Sequence, residues 1–208
     1  MKSSVSDILK QIYLFSFMDQ GELEKLTQIC SIHHYKKGSY LFMQGDISEH
    51  LLILVEGLVS VFKHDEKGNE ILIGLFQPFS LLAEPAILKG VPFPSTAMFK
   101  TDGSVIKVEL EQFRTLFLHD PHISYEIIQS LLDKIQLLQR NIHLNIASSA
   151  KEKIIYFYEK NNDIAITLKN YEIASLLAIT PETFSRNAKV LCKEGKLVKT
   201  GRGYAISS

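Results

Sequence analysis

The 208-residue sequence is poor in cysteine: Cys30 and Cys192 are the only two, and they lie far apart. Disulfide frameworks and cysteine-ligated zinc or iron–sulfur sites need closely grouped cysteines. The sequence therefore excludes a disulfide-stapled fold and a cysteine-rich metal centre. Cys30 ends an apolar helical face, so we expect its thiol to be buried and inert.

Long hydrophobic runs are also missing. No apolar stretch approaches the ~18 residues that a membrane-spanning helix requires, and the N-terminus does not resemble a signal peptide. Internal repeats and low-complexity tracts are absent as well. We therefore expect a cytoplasmic protein without a membrane partner.

The chain has no net charge, because 23 Lys and Arg balance 23 Asp and Glu. The balance is not uniform. Residues 151–208 carry ten basic and six acidic side chains, a net charge of +4, whereas residues 1–150 carry thirteen and seventeen, a net charge of −4. A basic C-terminal segment indicates the part of the protein that would meet nucleic acid.

From about residue 32 to residue 108 the apolar residues follow a period of two. Short runs rich in Val, Ile and aromatic residues alternate with glycine turns such as Lys37-Gly38 and Glu56-Gly57. Strands and turns at a spacing of roughly 8–12 residues are typical of an antiparallel barrel or jelly roll. Because helical patterns precede the strands at residues 5–30 and follow them from residue 109, the predicted fold class is α+β.

A short helix is predicted at residues 109–119 and a long one from about residue 122 to 146. Along the long helix, apolar residues step by three and four positions: Ile128, Leu131, Ile135, Leu138 and Ile142. An ordinary core helix gives a similar pattern, but so narrow a seam favours a two-stranded coiled coil. We predict a homodimer that pairs through this seam.

The residues after Ser148-Ser149 predict short elements: a helix from Lys153, a turn at 161–163, a strand at 164–167 and two helices joined by about three residues. The second of these two helices has Thr180 as N-cap, Pro181 in its first turn and Gly195 after its end. The pair matches a helix-turn-helix, with an ordinary helix pair as the alternative. A hairpin at residues 197–206 completes a winged helix.

These features together resemble the Crp/Fnr family of bacterial transcription regulators over essentially the whole chain. In the roll, the family's glycine pattern is similar to Lys37-Gly38-Ser-Tyr-Leu-Phe-Met-Gln-Gly45-Asp46 followed by Leu54-Val-Glu-Gly57-Leu-Val-Ser-Val-Phe. Glu182, Ser185 and Arg186 match the E-x-x-S-R form of the Fnr-like branch. The resemblance implies a cyclic-nucleotide-binding-like roll at residues 1–120, a dimerisation helix at 121–147 and a DNA-binding domain at 148–208.

The resemblance further implies binding to double-stranded DNA at a palindromic promoter site with TTGAT half-sites, and contact with RNA polymerase. The base chemistry agrees: Arg186 can fork onto guanine O6 and N7, Glu182 can accept from cytosine N4, and Ser185 suits either partner. Lys199 and Arg202 would lie near the phosphates. The predicted DNA-binding side chains are Thr180, Glu182, Thr183, Ser185, Arg186, Lys189, Lys199 and Arg202.

The departures from the family pattern concern the input signal. Cyclic-nucleotide binders of the family hold the phosphate with an arginine in the roll, but no arginine precedes Arg114 in this sequence. Without a forked cation the sequence argues against cyclic AMP, and Glu84 is predicted to be structural. Iron–sulfur sensors of the Fnr-like branch use four cysteines, so that cofactor is also not expected.

Another departure lies in the turn of the helix-turn-helix. Ala178 replaces the usual glycine there, at a cost of about 1 kcal/mol.

The remaining signals stay open. The histidines are His33, His34, His50, His64, His119, His122 and His143. One of them could ligate a haem that responds to nitric oxide, as in relatives of this branch, or the roll could take a small organic effector. A β-roll enzyme of the cupin type would need a His-x-His motif, which is missing, so no enzymatic activity is expected. The alternative function is a dimeric small-molecule sensor or scaffold that does not bind DNA.

Overall fold

A computed structural model of the chain describes residues 5–64, 68, 70–165, 168–201 and 203–207; at residue 137 and residues 140–147 it describes the backbone alone. The chain divides into two compact units, residues 1–132 and 133–208. The boundary lies inside a long helix that the sequence prediction treats as a separate segment. Within the described residues, no helix is both long and apolar enough to cross a bilayer.

The first unit begins with helices α1 (Val5–Gln11) and α2 (Gln20–Gln28), with a 3-10 turn at Tyr13–Phe15 between them. A capping box starts α2: the Asp19 carboxylate accepts from the Glu22 backbone N–H at 2.8 Å, and Glu22 accepts in turn from the Asp19 N–H at 2.9 Å. Leu9, Phe15, Leu23 and Leu26 are fully buried. These two helices therefore cover one side of the strands that follow.

Strands predominate in the described chain from residue 30 to residue 116, with one short helix between strands and another after the last of them. The elements are β1 (Cys30–Tyr35), β2 (Tyr40–Phe42), β3 (His50–Glu56), β4 (Val59–His64), β5 (Glu70–Phe76), β6 (Leu81–Leu82), α3 (Glu84–Lys89), β7 (Thr96–Phe99), β8 (Gly103–Glu109) and α4 (Leu110–Leu116). In this part of the described chain the strands form two antiparallel four-stranded sheets, with orders β1-β8-β3-β6 and β2-β7-β4-β5. The α+β class and the antiparallel roll are confirmed.

Gly57 shows why glycine punctuates this roll. Its φ of +92° lies in the left-handed region, and a Cβ there would lie 2.7 Å from the Asp102 carbonyl oxygen. At Gly103, on the facing segment, a Cβ would lie 2.2 Å from the Glu56 carbonyl oxygen. The two backbones can approach this closely only because both residues lack a side chain.

The predicted position of Cys30 at the end of a helix is wrong. Cys30 begins β1 and pairs with Val108 of β8. Its predicted chemistry is nevertheless supported, since burial raises the pKa of the Cys30 thiol to about 12. Strand β1 begins two residues before the strand-rich region that the sequence predicts from about residue 32. β6 has only two residues, too few to show a periodic pattern.

The remaining elements are the long helix α5 (Pro121–Ala147), α6 (Ala150–Ala165), α7 (Asn170–Leu176), α8 (Pro181–Lys193), β9 (Leu197–Lys199) and β10 (Tyr204–Ile206). The predicted strand at 164–167 is wrong for Ile164 and Ala165, which continue α6, while Ile166 and Thr167 lie outside the described residues. The predicted turn is a kink within this helix at Asn161, with φ −136° and ψ 28°.

Helical burial explains this result. Phe157 precedes the Asn161 kink and Ala165 follows it, and both residues are buried in α6. The β-branched residues Ile164 and Ile166 suggested a strand only because they alternate. Burial of a helical face in the native unit outweighs that local preference.

Candidate nucleic-acid interface

Helices α7 and α8 form a helix-turn-helix whose inner faces are apolar. Ile173 and Ala174 of α7 are buried, as are Phe184, Ala188 and Leu191 of α8. The Phe184 ring meets the Tyr204 ring of β10 edge-on, with 6.1 Å between centroids. The apolar faces of α8 and the wing thus pack together, and the opposite face of α8 is left outside.

The start of α8 is capped as the sequence predicts. Thr180 has extended backbone angles, and its hydroxyl oxygen accepts from the Thr183 N–H at 3.2 Å. Pro181 occupies the first turn, where its missing N–H costs nothing. Gly195, with φ +71°, follows the last turn. The cap therefore satisfies the Thr183 N–H, one of the N–H groups that the first turn of a helix leaves without an intrahelical partner.

The predicted contact residues are distributed over this outer face. Thr180, Glu182, Arg186 and Lys189 are exposed, whereas Thr183 and Ser185 are half-buried. No hydrogen bond or ion pair within the described residues engages the Arg186 guanidinium. Arg186 is thus not tucked into its own domain.

Glu182 carries the only acidic side chain in the first turn of α8. Hydrogen bonds from its own backbone N–H and from Thr180 lower the pKa of the Glu182 carboxyl. The group is consequently an ionised acceptor at neutral pH. It can receive a hydrogen bond from a base amino group such as cytosine N4.

The wing is the hairpin of β9 and β10, in which Tyr204 pairs with Lys199. The Thr200 N–H donates to the Gly203 carbonyl at 2.9 Å and closes the turn. Lys199 is exposed. The predicted contact Arg202 lies outside the described residues.

Sequence reasoning missed two exposed residues at the start of α7. The Lys169 ammonium lies 5.7 Å from the centroid of the Tyr171 ring, and Tyr171 is 50% exposed. Both side chains carry donors that suit phosphate oxygens. A basic residue at the N-cap and an aromatic residue in the first turn of the first helix are the signal that could have identified them.

The roll shows how the segment around Glu84 is built. Glu84 is 2% exposed at the start of α3, and the preceding residue Ala83 has a left-handed φ of +53°. Nearby, the Phe93 ring lies on the Phe42 ring with 4.1 Å between centroids. Arg114 donates to the Leu88 carbonyl at 2.7 Å and pairs with Glu111, so it is already engaged.

The described histidines lie at the surface. His33, His34, His64, His119 and His122 are exposed and His50 is half-buried; the side chain of His143 is outside the described residues. Burial, the Lys107 charge and neighbouring histidines lower the pKa of His33. Among the described residues no group of three or more His, Cys, Asp or Glu could hold a metal ion. His50 lines an open cavity together with Ile47 and Leu110.

The sequence profile described as the cyclic nucleotide-binding domain matches residues 32–120. These residues, fewer than half of the chain, are similar to that domain family. The match begins in β1, ends after α4, and includes both sheets of the roll. The name of the profile describes a type of domain. This sequence has no arginine before Arg114, where cyclic-nucleotide binders would need one to hold the phosphate.

Relatives extend the similarity beyond this domain. The transcriptional activator protein FnrL of Cereibacter sphaeroides is 24% identical over 203 residues, which cover 90% of this chain and 81% of FnrL. The cyclic AMP receptor protein of Thermus thermophilus is 22% identical over 173 residues, 81% of this chain and 80% of the relative. FnrL is named as a transcriptional activator and the Thermus protein as a cyclic AMP receptor; neither is named as an enzyme.

The structure of FixK2 from Bradyrhizobium japonicum superposes with a TM-score of 0.74 at 18% identity, covering 86% of this chain and 93% of FixK2. At this identity the likeness demonstrates the fold alone. The chain therefore shares the fold of FixK2, and its own elements are a roll of two antiparallel sheets, a long helix and a C-terminal helix-turn-helix with a wing.

Proposed function

We propose that the protein is a homodimeric, sequence-specific DNA-binding transcription regulator of the Crp/Fnr type, in the Fnr-like branch. The observation that carries the proposal is the capped and exposed first turn of α8, which presents an unengaged Arg186 guanidinium. A projecting helix N-terminus with a forked cation is the usual reader of the major groove. The similarity to FnrL, which is named as a transcriptional activator, supports the same function.

In this proposal the bases are contacted by Glu182, Ser185 and Arg186. They lie at positions 182, 185 and 186 of one helix, so the i, i+3 and i+4 spacing places them on the same face. Arg186 would read guanine and Glu182 would accept from cytosine, in a TTGAT half-site. Each good base contact contributes about 1–3 kcal/mol of discrimination.

Phosphate contacts hold the reading helix in register. Thr180, Thr183, Lys189 and Lys199 carry donors on α8 and the wing, and Arg202 is proposed for the same role. Such contacts give affinity without sequence preference and make binding dependent on salt. The net charge of +4 on residues 151–208 is consistent with phosphate contacts made by this segment.

Dimerisation is proposed through α5. Ile128, Ile135 and Leu138 are 53%, 49% and 55% exposed, which is unfavourable for apolar side chains on a solvated helix. Leu131 is half-buried and packs against the first unit's core, and the Ile142 side chain is outside the described residues. A second copy of α5 would cover the exposed positions. A pair of chains also matches a palindrome, whose half-sites lie roughly 34 Å apart.

The input signal is proposed to enter through the roll and to shift α5 near Ser148-Ser149, changing the separation of the two reading helices. A small organic effector fits the roll better than cyclic AMP, because no roll arginine precedes Arg114. Haem that responds to nitric oxide remains the second candidate. An absorption spectrum with added haem tests it: a Soret band would select haem over an organic effector.

Arg186→Ala tests the DNA-reading role. Fluorescence anisotropy would compare a labelled duplex carrying an inverted TTGAT repeat with a scrambled duplex of equal composition, at several salt concentrations. We expect the affinity for the palindrome to fall about 10–100-fold, from the loss of one bidentate base contact per half-site. Affinity for the scrambled duplex should change by less than about twofold.

Lys193→Ala is the matched control, since it removes one positive charge from the exposed C-terminal end of the same helix. It should weaken both duplexes equally and slightly. Equal losses on both duplexes for Arg186→Ala would contradict the assigned role. A wild-type protein that ignores the palindrome and the scrambled duplex alike would instead favour the sensor or scaffold function.

A further inference from the structure

The turn between α7 and α8 has an unusual residue at its critical position. The Ala178 N–H donates to the Ser175 carbonyl at 3.1 Å and the Ile179 N–H to the Ala174 carbonyl at 3.0 Å. These two bonds form a Schellman motif, whose left-handed residue is ordinarily glycine. Here that residue is Ala178, with φ +50°. An alanine Cβ makes this conformation strained, so other contacts must hold the turn.

Lys153 supplies such a contact. It lies on α6, its residue is only 7% exposed, and its ammonium donates to the Leu177 carbonyl at 3.4 Å. Leu177 is the C-cap of α7 and directly precedes Ala178. The Schellman bonds use the carbonyls of Ala174 and Ser175, so they leave the Leu177 carbonyl to another donor. A cation at a helix C-terminus also opposes the negative end of the helix dipole.

Burial sets Lys153 apart from the other basic residues of the DNA-binding unit. Lys189, Lys193, Lys196 and Lys199 are all exposed, as a residue that meets phosphate must be. A buried ammonium cannot reach DNA, and burying it is costly unless it makes specific contacts. The position of Lys153 therefore favours a role inside the helix-turn-helix.

We propose that Lys153 is a positioning residue for DNA recognition, and this inference rests on the proposed function. Its ammonium holds the Leu177 carbonyl and thereby keeps Ala178 in the left-handed conformation. That conformation fixes the direction in which α8 leaves the turn, and so the place at which Arg186 meets a base. Lys153 acts on DNA only through the turn.

A double substitution separates this role from a general contribution to stability. Lys153→Met keeps the length of the side chain but removes the donor, and we expect the affinity for the TTGAT palindrome to fall about tenfold. Affinity for the scrambled duplex and the salt dependence should stay unchanged, because no phosphate contact is lost. Adding Ala178→Gly should restore most of the specific affinity, since glycine adopts positive φ without strain.

Lys153→Arg, which retains a cation, should bind the palindrome within about threefold of wild type. Lys160→Met is the charge-matched control on the exposed face of α6 and should bind like wild type. Amide hydrogen exchange reads the turn directly: the Ala178 and Ile179 N–H groups should exchange faster in Lys153→Met, and those of the C-terminal half of α8 should not.

Several results would overturn the proposal. They are wild-type specific binding by Lys153→Met, equal losses on both duplexes, no rescue by Ala178→Gly, and a Lys153→Met protein that fails to fold. The last would make Lys153 a determinant of stability alone. If the wild-type protein shows no preference for the palindrome, the proposed function fails, whereas the exchange of Ala178 and Ile179 still decides the role of Lys153 in the turn.

Discussion

At the scale of single residues, the exposure of Arg186 follows from its neighbours in α8. Phe184 and Ala188 are fully buried on the inner face. Arg186 lies two residues from each, about 200° around the helix, so its side chain must point away from the core. Its long stem and planar fork then extend from the surface without a partner in the described part of the chain.

Cys30 gives a prediction at the same scale. Its pKa of about 12 leaves a thiolate fraction on the order of 10⁻⁴ at pH 8. In a Cys192→Ser protein, where Cys30 is the sole thiol, iodoacetamide should fail to modify the folded chain within an hour. Mass spectrometry after addition of urea should then find one alkyl group. Rapid labelling before urea would show that Cys30 is accessible as a thiolate, against the burial described.

Lys153 shows the limit of reasoning from one residue at a time. In the sequence it is one of ten basic residues of the C-terminal segment, and nothing in its own neighbourhood marks it. Its contact, Leu177, is 24 positions away. A charge count includes Lys153 in the basic excess of this segment but does not reveal that the fold buries it.

At the scale of elements, α6 and α8 are joined by an ion pair between the start of one and the end of the other. The Lys151 ammonium lies 2.5 Å from the Glu194 carboxylate, and the two side chains are 39% and 38% exposed. The hydrogen bond from Lys151 lowers the pKa of the Glu194 carboxyl from its usual 4.5. Glu194 is the C-cap of α8, so the pair ties the C-terminal end of this helix to the start of α6.

This pair predicts a change in acid stability. A carboxyl whose folded pKa is depressed stabilises the fold above its unfolded pKa, and that contribution is lost as the pH falls through the lower folded value. Below about pH 4.5 the melting temperature of the wild type should therefore fall more steeply than that of Lys151→Met. Circular dichroism melts between about pH 6 and pH 3 measure both slopes.

Other carboxyls of this unit with lowered pKa values, Glu152 and Glu182, are present in both proteins and cancel in the comparison. Lys160→Met again serves as the control, and its slope should equal that of the wild type. Parallel slopes for the wild type and Lys151→Met would mean that the pair does not stabilise the unit. The effect is expected to be small because both partners are partly solvated.

At the scale of the whole molecule, the proposed dimer depends on apolar side chains that a single chain leaves in water. Leu138→Glu places a charge on the seam, where two copies would face each other, and should yield monomers in sedimentation-velocity runs. Its matched control is Gln136→Glu, which adds the same charge at an exposed position two residues away. If Leu138→Glu remains a dimer, the dimer interface does not lie on this seam of α5.

Leu131 is a poorer probe of the same seam. It belongs to the predicted step of three and four, yet it packs against the first unit's core. Leu132, outside the predicted set, is 44% exposed. A substitution at Leu131 would disturb folding and association together, so the oligomeric state of such a variant could not be assigned to the seam. Periodicity alone does not reveal which of two adjacent leucines faces its own domain.

The sequence by itself determined the features that depend on local chemistry. Neighbouring residues set the alternation of the roll, the cap at Thr180 and the inner face of α8, because backbone period and capping act over a few positions. The lack of an arginine before Arg114 can be read directly from the sequence. Only the tertiary structure decided where Cys30 and Ile164 belong, which leucine of α5 is covered, and that Lys153 is buried against Leu177. Those outcomes depend on contacts between residues distant in the chain, and burial against such partners outweighs local preference.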